Sequence, residues 1–580
     1  MEKMITLTID GIQVTVPDGS TVLEAAAAAN VTIPTLCYLK GVNEIGACRM
    51  CIVDTGARAF NAACTMPATN GMVVKTNTPA IREARKMNLE LILSNHDRSC
   101  LTCIRNQNCE LQALARDLGV DEIRFQSGAK EMEPADDSSV AIIRDPNKCI
   151  LCRRCVAVCE AVQSVGVLGP TNRGFMTHVE PYFKKGLGEV ACIQCGQCIQ
   201  VCPVGAIKER DDTAKVWNAL KDPSKHVVVH TAPSIRVGIG EEFGLPMGTR
   251  VTGKLSAALH RLGFDKVFDT NFAADLTIME EGTELLHRLK NNGVLPMITS
   301  CSPGWIKFCE TFYPEFIPNL STCKSPMSME GAIIKSYYAE NAGIDPKDIV
   351  VVAVMPCTAK KFEAQREEMH GTQYPDTDIV ITTRELAHMI RVAGIDFASL
   401  EDQPFDTLLG EGSGAAVIFG ATGGVMEAAL RTVYEIVTGK TLDKIEFTAV
   451  RGVEGVKEAT IDLDGTPVRI AVAHSTGNAA KLLEAIKAGE KQYDFIEVMA
   501  CPGGCVTGGG QPIVPAPVKF KADPRLLRAR AIYEEDKHLP IRKSHLNQEV
   551  KNLYADYLGE IGGHKAHELL HTHYVKRDKY

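Results

Sequence analysis

The first part of the chain alternates apolar and polar residues and predicts a β-hairpin. Residues 4–16 (MITLTIDGIQVTV) alternate around Asp10 and Gly11, a pair typical of a tight turn between two strands. The next segment, STVLEAAAAAN, predicts a helix with Ser20 or Thr21 as its N-cap. Farther along, AIREARKMNLELIL (80–93) has the apolar spacing of an amphipathic helix.

After about residue 210 the pattern changes to short, β-branched apolar runs. The runs that predict buried strands are HVVVHTAPS, VLPMITS, DIVVVAVMPC, AAVIFGATGG and FIEVMAC, and helical segments such as GKLSAALHRLGF lie between them. This alternation predicts a large α/β domain with functional loops at the strand ends. A chain of 580 residues is also too long for one core, so several domains are expected.

Charge and hydropathy exclude some classes of partner. The net charge of -8, with both signs interspersed, argues against nucleic acid or an anionic membrane surface as the main partner. No apolar run approaches the roughly 20 residues of a membrane span, and the first residues lack the apolar stretch of a signal peptide. We therefore expect a cytoplasmic protein.

Cysteine is the unusual feature of the composition, with 21 residues in all. Fifteen of them lie before residue 203 in closely spaced groups, and six lie after residue 300. In a reducing compartment a disulfide framework of this size is rare, so metal binding is the first hypothesis.

The first group follows the predicted hairpin and helix with the spacing Cx10CxxCx12C, and its members are Cys37, Cys48, Cys51 and Cys64. Four thiols in the loops of a β-grasp fold would hold a [2Fe-2S] cluster, and the order of elements fits that fold. The spacing differs from the plant-type pattern, and a structural zinc site is the alternative.

The second group mixes one imidazole with three thiols, in the pattern Hx3CxxCx5C formed by His96, Cys100, Cys103 and Cys109. A [4Fe-4S] cluster with one neutral ligand carries less negative charge and should be easier to reduce. A zinc site of three cysteines and one histidine has the same ligands, and the spacing alone does not separate the two.

Two runs of CxxCxxCxxxC follow, and they form the pattern of a two-cluster ferredoxin. In that pattern the fourth cysteine of each run binds the cluster of the other run. We therefore assign one [4Fe-4S] cluster to Cys149, Cys152, Cys155 and Cys202, and a second to Cys192, Cys195, Cys198 and Cys159.

Three predicted strands of the larger domain end in cysteine motifs. These are TSCSPGW (299–305), MPCTAKKFE (355–363) and EVMACPGGCVTGGGQP (497–512), which contain Cys301, Cys357, Cys501 and Cys505. Four thiols suffice for one further cubane, whose ligands would meet only in the folded domain. For each cysteine taken alone, a buried apolar thiol is the alternative.

These motifs resemble the three signatures of the [FeFe]-hydrogenases, TSCxPGW, MPCxxKxxE and ExMxCxxGCxxGGGxP. The resemblance runs from about residue 4 to the C-terminus and includes the accessory-cluster regions in the usual order. It implies reversible conversion of H2 to protons and electrons at an H-cluster, a [4Fe-4S] cubane joined to a two-iron subsite with CO, cyanide and a dithiolate. It also implies that Cys505 bridges the two parts, that Cys357 and Cys501 bind the cubane, and that three [4Fe-4S] clusters and one [2Fe-2S] cluster carry electrons.

Further site residues are implied by the same resemblance. Lys360 would donate to a cyanide nitrogen, and the pocket would be lined by Met355, Met499, Ala232, Pro233 and Ser234. The glycines at 508–510 would permit close approach of the backbone to the ligand loop.

A proton relay is also implied, in which a cysteine precedes Glu281, Ser321, Glu284 and Arg288. Glu281, Glu284 and Arg288 are three and four residues apart, so they share one face of a predicted helix. An ordinary salt-bridged surface would have the same spacing, and the residues alone do not exclude it.

Cys301 and Ser302 depart from the family, which commonly has two cysteines here, the first relaying protons and the second binding the cubane. Because thiolate is the normal ligand of a cubane and a hydroxyl is a poor one, we expect Cys301 to bind iron after a small loop adjustment. Ser302 would then join the relay. The rival is the strict register, in which Cys301 relays and the cubane has a serine or a vacant corner. Met327, where many relatives carry Gln, is a second departure.

We expect a multidomain α/β protein. The predicted domains are a β-grasp [2Fe-2S] ferredoxin-like domain (1–79), a His/Cys3 [4Fe-4S] domain (80–125), a two-[4Fe-4S] ferredoxin domain (126–209) and an H-cluster domain (210–580). An H2 sensor or electron-relay subunit with low turnover is the alternative function, but it would not need the complete relay. The iron-sulfur subunit of NADH dehydrogenase resembles the N-terminal third alone.

The electron partner is expected to be a separate protein, because GIGEEFG near residue 238 has the wrong spacing for a dinucleotide motif. Soluble ferredoxin is one candidate. A flavin-containing, NAD(P)H-linked iron-sulfur subunit of an electron-bifurcating hetero-oligomer is the other, and the long cluster-rich N-terminus slightly favours it.

Overall fold

The computed structural model describes residues 3–125, 132–442, 445–463 and 465–579. These ranges contain seventeen strands and twenty α-helices, and no helix in them is both long and apolar enough to span a bilayer. The predicted domain boundary at residue 126 lies outside the described residues, as do residues 1, 2 and 580.

The N-terminal region is a small sheet packed on one helix. Its elements are β1 (Met4–Ile9), β2 (Ile12–Pro17), α1 (Val22–Ala28), β3 (Ile52–Val53), β4 (Asn61–Ala62) and β5 (Val73–Val74). The predicted hairpin is confirmed, since β1 and β2 pair antiparallel while β5 adds in parallel to β1. Asp10 and Gly11 take the positive φ that the turn requires. Thr21, rather than Ser20, caps α1 through a capping box with Glu24.

The middle region consists of short elements around the cysteine groups. They are α2 (Pro79–Ser94), α3 (Glu110–Asp117), β6 (Ile142–Arg144), α4 (Arg154–Ala157), β7 (Leu168–Thr171), β8 (His178–Pro181), α5 (Gln197–Val201) and β9 (Ile207–Glu209). The amphipathic helix predicted over 80–93 is confirmed as α2, which buries Ile81 and Leu89. The antiparallel pair of β6 and β9 brackets the two ferredoxin-like cysteine runs.

A four-stranded parallel sheet forms half of the large domain. The elements between residues 213 and 382 are α6 (Thr213–Lys221), β10 (His226–Thr231), α7 (Thr252–Leu262), β11 (Lys266–Asp269), α8 (Asn271–Lys290), β12 (Met297–Ile298), α9 (Pro303–Phe312), α10 (Pro326–Ile333), α11 (Ala339–Ala342), β13 (Ile349–Met355), α12 (Ala359–Glu363) and β14 (Ile379–Thr382). Of these strands, β12 belongs to the second sheet. The strand order is β11-β10-β13-β14. Both faces are covered, because Val227 and Val229 enter one core while Val228 enters another.

A second four-stranded sheet includes β12 and the strands that follow. The remaining elements are α13 (Thr383–Val392), α14 (Gly414–Val417), α15 (Gly424–Thr438), β15 (Val456–Leu463), β16 (Thr466–His474), α16 (Thr476–Lys487), β17 (Phe495–Met499), α17 (Ala516–Lys519), α18 (Pro524–His538), α19 (Gln548–Leu553) and α20 (His564–Leu570). The strand order is β12-β17-β16-β15, with β15 antiparallel at the edge.

One predicted strand was wrong. The run AAVIF of AAVIFGATGG forms α14 and a short 3-10 helix instead. Ser413 caps this helix by accepting a hydrogen bond from the Ala416 N–H. A short apolar run does not by itself separate a buried strand from a buried helix, and here the local cap decides. The other four predicted strands are present as β10, β12, β13 and β17.

Candidate metal centre

Four cysteines from the loops after three strands line one buried cavity. Cys301 follows β12, Cys357 follows β13, and Cys501 and Cys505 follow β17. β12 and β17 are neighbours in one sheet and β13 belongs to the other, so loops from both sheets meet here. The structure therefore brings together the four thiols of the three motifs.

The other walls of the cavity are largely apolar. Ala232, Pro233, Met355 and Met499 line it, as does Met327. Of the residues that the sequence analysis did not name, the cavity also contacts Phe419, Thr270 and Ala274.

Ser234 is fully buried and forms a hydrogen bond with the backbone of the loop that carries Cys505. Its hydroxyl donates to the carbonyl oxygen of Cys505 at 3.3 Å. Gln511 donates in turn to the Ser234 carbonyl at 2.9 Å. These bonds hold the Cys505 loop against the segment that follows β10.

Lys360 also lines the cavity, where its ammonium group is held by three partners. It donates to Ser325 Oγ at 2.6 Å, to Glu363 Oε2 at 2.7 Å and to the Cys301 carbonyl at 3.3 Å. Ser325 and Glu363 were not anticipated from the sequence. The contact between Glu363 and Lys360 could have been predicted, because Glu363 ends the MPCTAKKFE motif three residues after Lys360, on the same helix face.

The thiols have the chemistry of a soft-metal site. Burial raises the pKa of Cys505 to about 12, and burial also raises the pKa of Cys357 above its usual value. Metal-free thiols would therefore stay protonated at neutral pH, and a bound cation would stabilise their thiolate forms. Clustered thiolates behind apolar walls are a donor set that fits iron-sulfur binding.

Cys301 and Ser302 point to different neighbours. The Ser302 hydroxyl accepts a hydrogen bond from the backbone N–H of Ala500 at 3.2 Å, next to Cys501. Burial, followed by the nearby charge of Glu281, raises the pKa of Cys301. Thus Ser302 lies toward the loop that carries Cys501, and Cys301 lies close to both Glu281 and Cys505.

A row of acidic and hydroxyl groups leads away from Cys301. Burial and the charge of Glu284 raise the pKa of Glu281 to about 8, while Ser321 opposes this shift by hydrogen bonding. Ser321 Oγ donates to Glu284 Oε2 at 3.0 Å. Arg288 then donates to Glu284 Oε1 at 2.6 and 3.1 Å. Glu281, Glu284 and Arg288 all lie on α8, as the spacing predicted.

The cysteines of the first group are in mutual contact. The sulfur atoms of Cys51 and Cys64 are 3.3 Å apart, and Cys37 and Cys48 hydrogen-bond to each other. The group lies beside the small N-terminal core, which includes Cys51 and Cys64.

The second group adjoins the ferredoxin-like region. Cys103 is close enough for its charge to act on Cys109, and Cys109 Sγ lies 3.8 Å from the carbonyl oxygen of Pro203. Gly205 packs against the same group, since a Cβ there would lie 2.6 Å from Cys103 Sγ. The second group is therefore next to Cys202, which precedes Pro203.

The two ferredoxin-like runs are interleaved as the crossed assignment requires. One cavity is lined by Cys149, Cys152, Cys155 and Cys202. On the other side, burial raises the pKa of Cys159 and of Cys198. The nearby Cys192 adds to the rise at Cys159, and Cys195, Cys192 and Cys159, with Cys202 after them, add to the rise at Cys198. Each run thus sends its fourth cysteine to the other run.

The second of these groups reaches the main cavity. Cys195 lines that cavity together with Cys357 and Cys501. Gly509 permits this contact, because a Cβ there would lie 2.3 Å from the Cys195 carbonyl oxygen. Thr358 Oγ1 donates to the Gln194 carbonyl at 2.6 Å and fixes the same junction. Cys48, Cys109, Cys149 and Cys202 pack on one hydrophobic cluster, so the cysteine groups adjoin one another from the N-terminal region to the large domain.

Five known sequence families match successive parts of the chain. They are described as 2Fe-2S iron-sulfur cluster binding domain (2–79), NADH-ubiquinone oxidoreductase-G iron-sulfur binding region (85–124), 4Fe-4S dicluster domain (148–206), iron only hydrogenase large subunit, C-terminal domain (225–509), and iron hydrogenase small subunit (522–577). The prediction of iron-sulfur clusters rather than zinc sites is confirmed by these matches. The separate C-terminal match was not anticipated from the sequence, because its cysteine-free helices carry no metal motif.

Similar proteins of known identity extend over the whole chain. The NADP-reducing hydrogenase subunit HndD of Solidesulfovibrio fructosivorans is 49% identical over 100% of both chains. Iron hydrogenase 1 of Clostridium pasteurianum is 43% identical over 99% of this chain and 100% of its own. A solved structure of a variant of the [FeFe]-hydrogenase HydA1 from Chlamydomonas reinhardtii is 45% identical, covers 62% of this chain and 98% of that chain, and has a TM-score of 0.56.

Proposed function

Because the chain belongs to the iron-only, or [FeFe]-, hydrogenase family, it interconverts H2 with protons and electrons, and we propose that an NAD(P)-linked partner subunit exchanges the electrons with it. The observation that carries the partner assignment is the similarity to the subunit of an NADP-reducing hydrogenase over the full length of both chains. A hetero-oligomer with a flavin-containing, NAD(P)H-linked iron-sulfur subunit is the assembly that follows.

The local structure around residue 238 supports a nucleotide site on another chain. The segment GIGEEFG forms a short 3-10 helix, Ile239–Phe243, and not a strand-turn-helix. Its Glu241 is engaged by Arg528 at 2.7 Å and is not placed to bind a ribose. Electrons would therefore pass from this chain to another protein before they reduce NAD(P)+.

Reconstitution with and without a partner tests the electron assignment. The matured chain alone should oxidise H2 with an artificial dye but should not reduce NADP+ or NAD+. Addition of a flavin-containing, NAD(P)H-linked iron-sulfur subunit should enable nucleotide reduction. Nucleotide reduction by the chain alone would contradict the proposal, and so would rapid reduction of ferredoxin with no response to the flavoprotein.

The H-cluster would be held by the cysteines of the main cavity. Cys357, Cys501 and Cys505 would hold the cubane, with Cys505 as the bridge to the two-iron subsite. Met355 and Met499 would exclude water, and Lys360 would direct its positive charge toward a cyanide ligand. When bound, the H-cluster supplies the heterolytic cleavage of H2 and the first acceptor for its electrons.

Ser302 would face the fourth corner of the cubane, as in the strict register. The support is its hydrogen bond from Ala500, on the Cys501 side of the cavity. Cys301 would be the first member of the proton relay, next to Glu281. The cubane would then have three thiolates and either a hydroxyl oxygen or an open corner, which lowers its negative charge.

Protons would move between Cys301 and Glu284 through this chain's own side chains. Glu281, whose pKa is raised to about 8, is suited to hold and release a proton near neutral pH. The Ser321 hydroxyl, 3.0 Å from Glu284, would hand the proton from one carboxyl group to the next.

Electrons would travel through the accessory clusters in the order of the cysteine groups. Cys195 at the cavity wall supports a first step from the H-cluster to the cluster of the second ferredoxin run. The adjoining group around Cys202 and the contact of Cys109 with Pro203 support a path onward to the His96 cluster. The [2Fe-2S] cluster at Cys37, Cys48, Cys51 and Cys64 would complete the set of accessory clusters.

Four domains would correspond to these functions, with the predicted boundaries 1–79, 80–125, 126–209 and 210–580. The family matches to residues 2–79, 85–124, 148–206 and 225–509 support this division. We also propose that 522–577 is a distinct C-terminal segment of the catalytic domain, because a separate family matches it.

A further inference from the structure

Arg288, the last member of the proposed relay, is fixed in place and is a poor proton carrier. Besides Glu284, its guanidinium donates to the carbonyl oxygens of Val294, Pro318, Asn319 and Leu320. An arginine stays protonated at any accessible pH, so it does not alternately bind and release a proton. A proton that reaches Glu284 needs a titratable group as its next carrier.

Such a group lies one hydroxyl away from Glu284. Thr322 Oγ1 donates to Glu284 Oε2 at 3.2 Å and lies 2.8 Å from His571 Nδ1. The other ring nitrogen of His571, Nε2, is 3.1 Å from Glu280 Oε2. Histidine changes its charge near neutral pH and is the usual proton shuttle of proteins.

His571 is also the buried end of a row of histidines. His564 and His567 lie on α20, and His571 is its C-cap, so the three are spaced three and four residues apart on one face. The ring centroids of His567 and His571 are 4.1 Å apart. The side chain of His571 is 7% exposed, whereas that of His564 is 89% exposed. The row therefore leads from the interior to solvent.

We propose that Thr322 and His571 form a proton exit from Glu284 to the surface, an inference that rests on the proposed relay. In one state Glu284 is protonated and donates to Thr322 Oγ1, whose own hydrogen points to His571 Nδ1. In the other state Thr322 donates to ionised Glu284, and His571 is an imidazolium that donates from both nitrogens. One proton has moved from Glu284 to His571, the threonine has exchanged one hydrogen for another, and no electron has moved.

Several titratable groups surround His571. They are Glu280 and Glu284 from α8, Cys323 from the segment before α10, and His567 on its own helix. The carboxylate of Glu280 is buried and also accepts hydrogen bonds from the hydroxyl of Tyr554, which lies after α19, and from the Gly562 N–H at 3.0 Å. These bonds hold the Glu280 carboxylate opposite His571 Nε2.

The proposal is tested on the full, H-cluster-loaded chain with Thr322→Val and a matched control. Thr322→Val removes the hydroxyl and keeps the shape, and it should lower H2 oxidation about 10-fold and raise the solvent isotope effect. Thr322→Ser should restore both. Thr283→Val is the control, because Thr283 is on α8 but donates only to the Met279 carbonyl at 2.7 Å. The infrared bands of CO and cyanide should be unchanged in every variant.

A second variant, His571→Ala, tests the proposed proton exit even if Thr322→Val folds poorly. His571→Ala should lose turnover to a similar degree, and added imidazole should restore it and shift its pH profile. Imidazole should not rescue Thr322→Val. Wild-type turnover and isotope effect in both variants, or a loss in His571→Ala that imidazole does not relieve, would overturn the proposal. A wild-type chain without the infrared bands would instead contradict the proposed H-cluster site.

Discussion

Cys195 and Cys501 line the same buried cavity, although they belong to regions that match different sequence families. Cys501 is a proposed cubane ligand, and Cys195 is a proposed ligand of the nearest accessory cluster. Gln197 strengthens the junction by donating to the Thr507 carbonyl at 3.1 Å. The proximity of the two cysteine loops supports the proposal that the ferredoxin-like region is the first acceptor of electrons from the catalytic domain.

Removal of Cys195 should therefore separate H2 chemistry from electron transfer. In Cys195→Ser the nearest accessory cluster should be lost or impaired, and turnover with a large electron acceptor should fall about 100-fold or more, because the electron path is interrupted. The infrared bands of the H-cluster should persist. Cys309→Ser is the matched control, since this thiol is buried and donates to the Tyr313 carbonyl, away from the cavity. Equal turnover in both variants would argue against this path.

Ser302→Cys tests the register of the TSCSPGW turn. A thiolate at the fourth corner should increase iron retention and lower the reduction potential of the cubane, because it adds negative charge. The readouts are the paramagnetic resonance spectrum and the iron content. The reciprocal variant Cys301→Ser should keep the cubane iron and reduce turnover. Loss of cubane iron in Cys301→Ser would instead support Cys301 as the ligand.

Much of the metal chemistry could be predicted from the sequence, because iron-sulfur ligands are local and periodic. The two CxxCxxCxxxC runs predicted the crossed groups that the structure brings together around Cys202 and Cys159. The hairpin and α2 were also accessible, since alternation and helical spacing are local signals. The same is true of Glu281, Glu284 and Arg288, which share one helix.

What the sequence did not predict depends on contacts between distant segments. AAVIF forms a helix because Ser413 caps it, and Asp275 of α8 accepts hydrogen bonds from the Ser413 N–H and hydroxyl at 2.8 and 2.6 Å. His571 meets Thr322 only because α20 returns to the segment before α10. The different neighbours of Cys301 and Ser302 follow from the backbone of one turn, for which a motif carries no signal.

The buried His230 should make the stability of the large domain fall in acid. Burial lowers its pKa from 6.5 to about 3, so the folded protein keeps it neutral. Between these values the unfolded chain binds the proton and the folded chain does not, so this contribution is present above pH 6.5 and is lost as the pH falls toward 3. His230 Nδ1 is hydrogen-bonded to Thr270 Oγ1 at 2.9 Å. His230→Asn, which can retain this bond, should flatten the loss of unfolding free energy measured in urea between pH 7 and pH 5.5. An equally steep loss in the variant would exclude His230 as a cause.

Glu281 should be the most sensitive position of the relay. Glu281→Gln keeps the shape and hydrogen-bonding capacity but does not ionise, so H2 oxidation should fall about 100-fold or more, as for loss of a general acid-base group. The infrared bands should be retained because Glu281 is not a proposed ligand. Glu281→Asp, which keeps a carboxyl group on a shorter side chain, should retain more turnover than Glu281→Gln. The matched control for Glu281→Gln is Glu330→Gln. Glu330 is a buried carboxyl group on α10 whose pKa is raised by burial, and it lies outside the relay. Equal losses in Glu281→Gln and Glu330→Gln would point to a general effect of buried charge, whereas a selective loss at Glu281 would place it on the proton path.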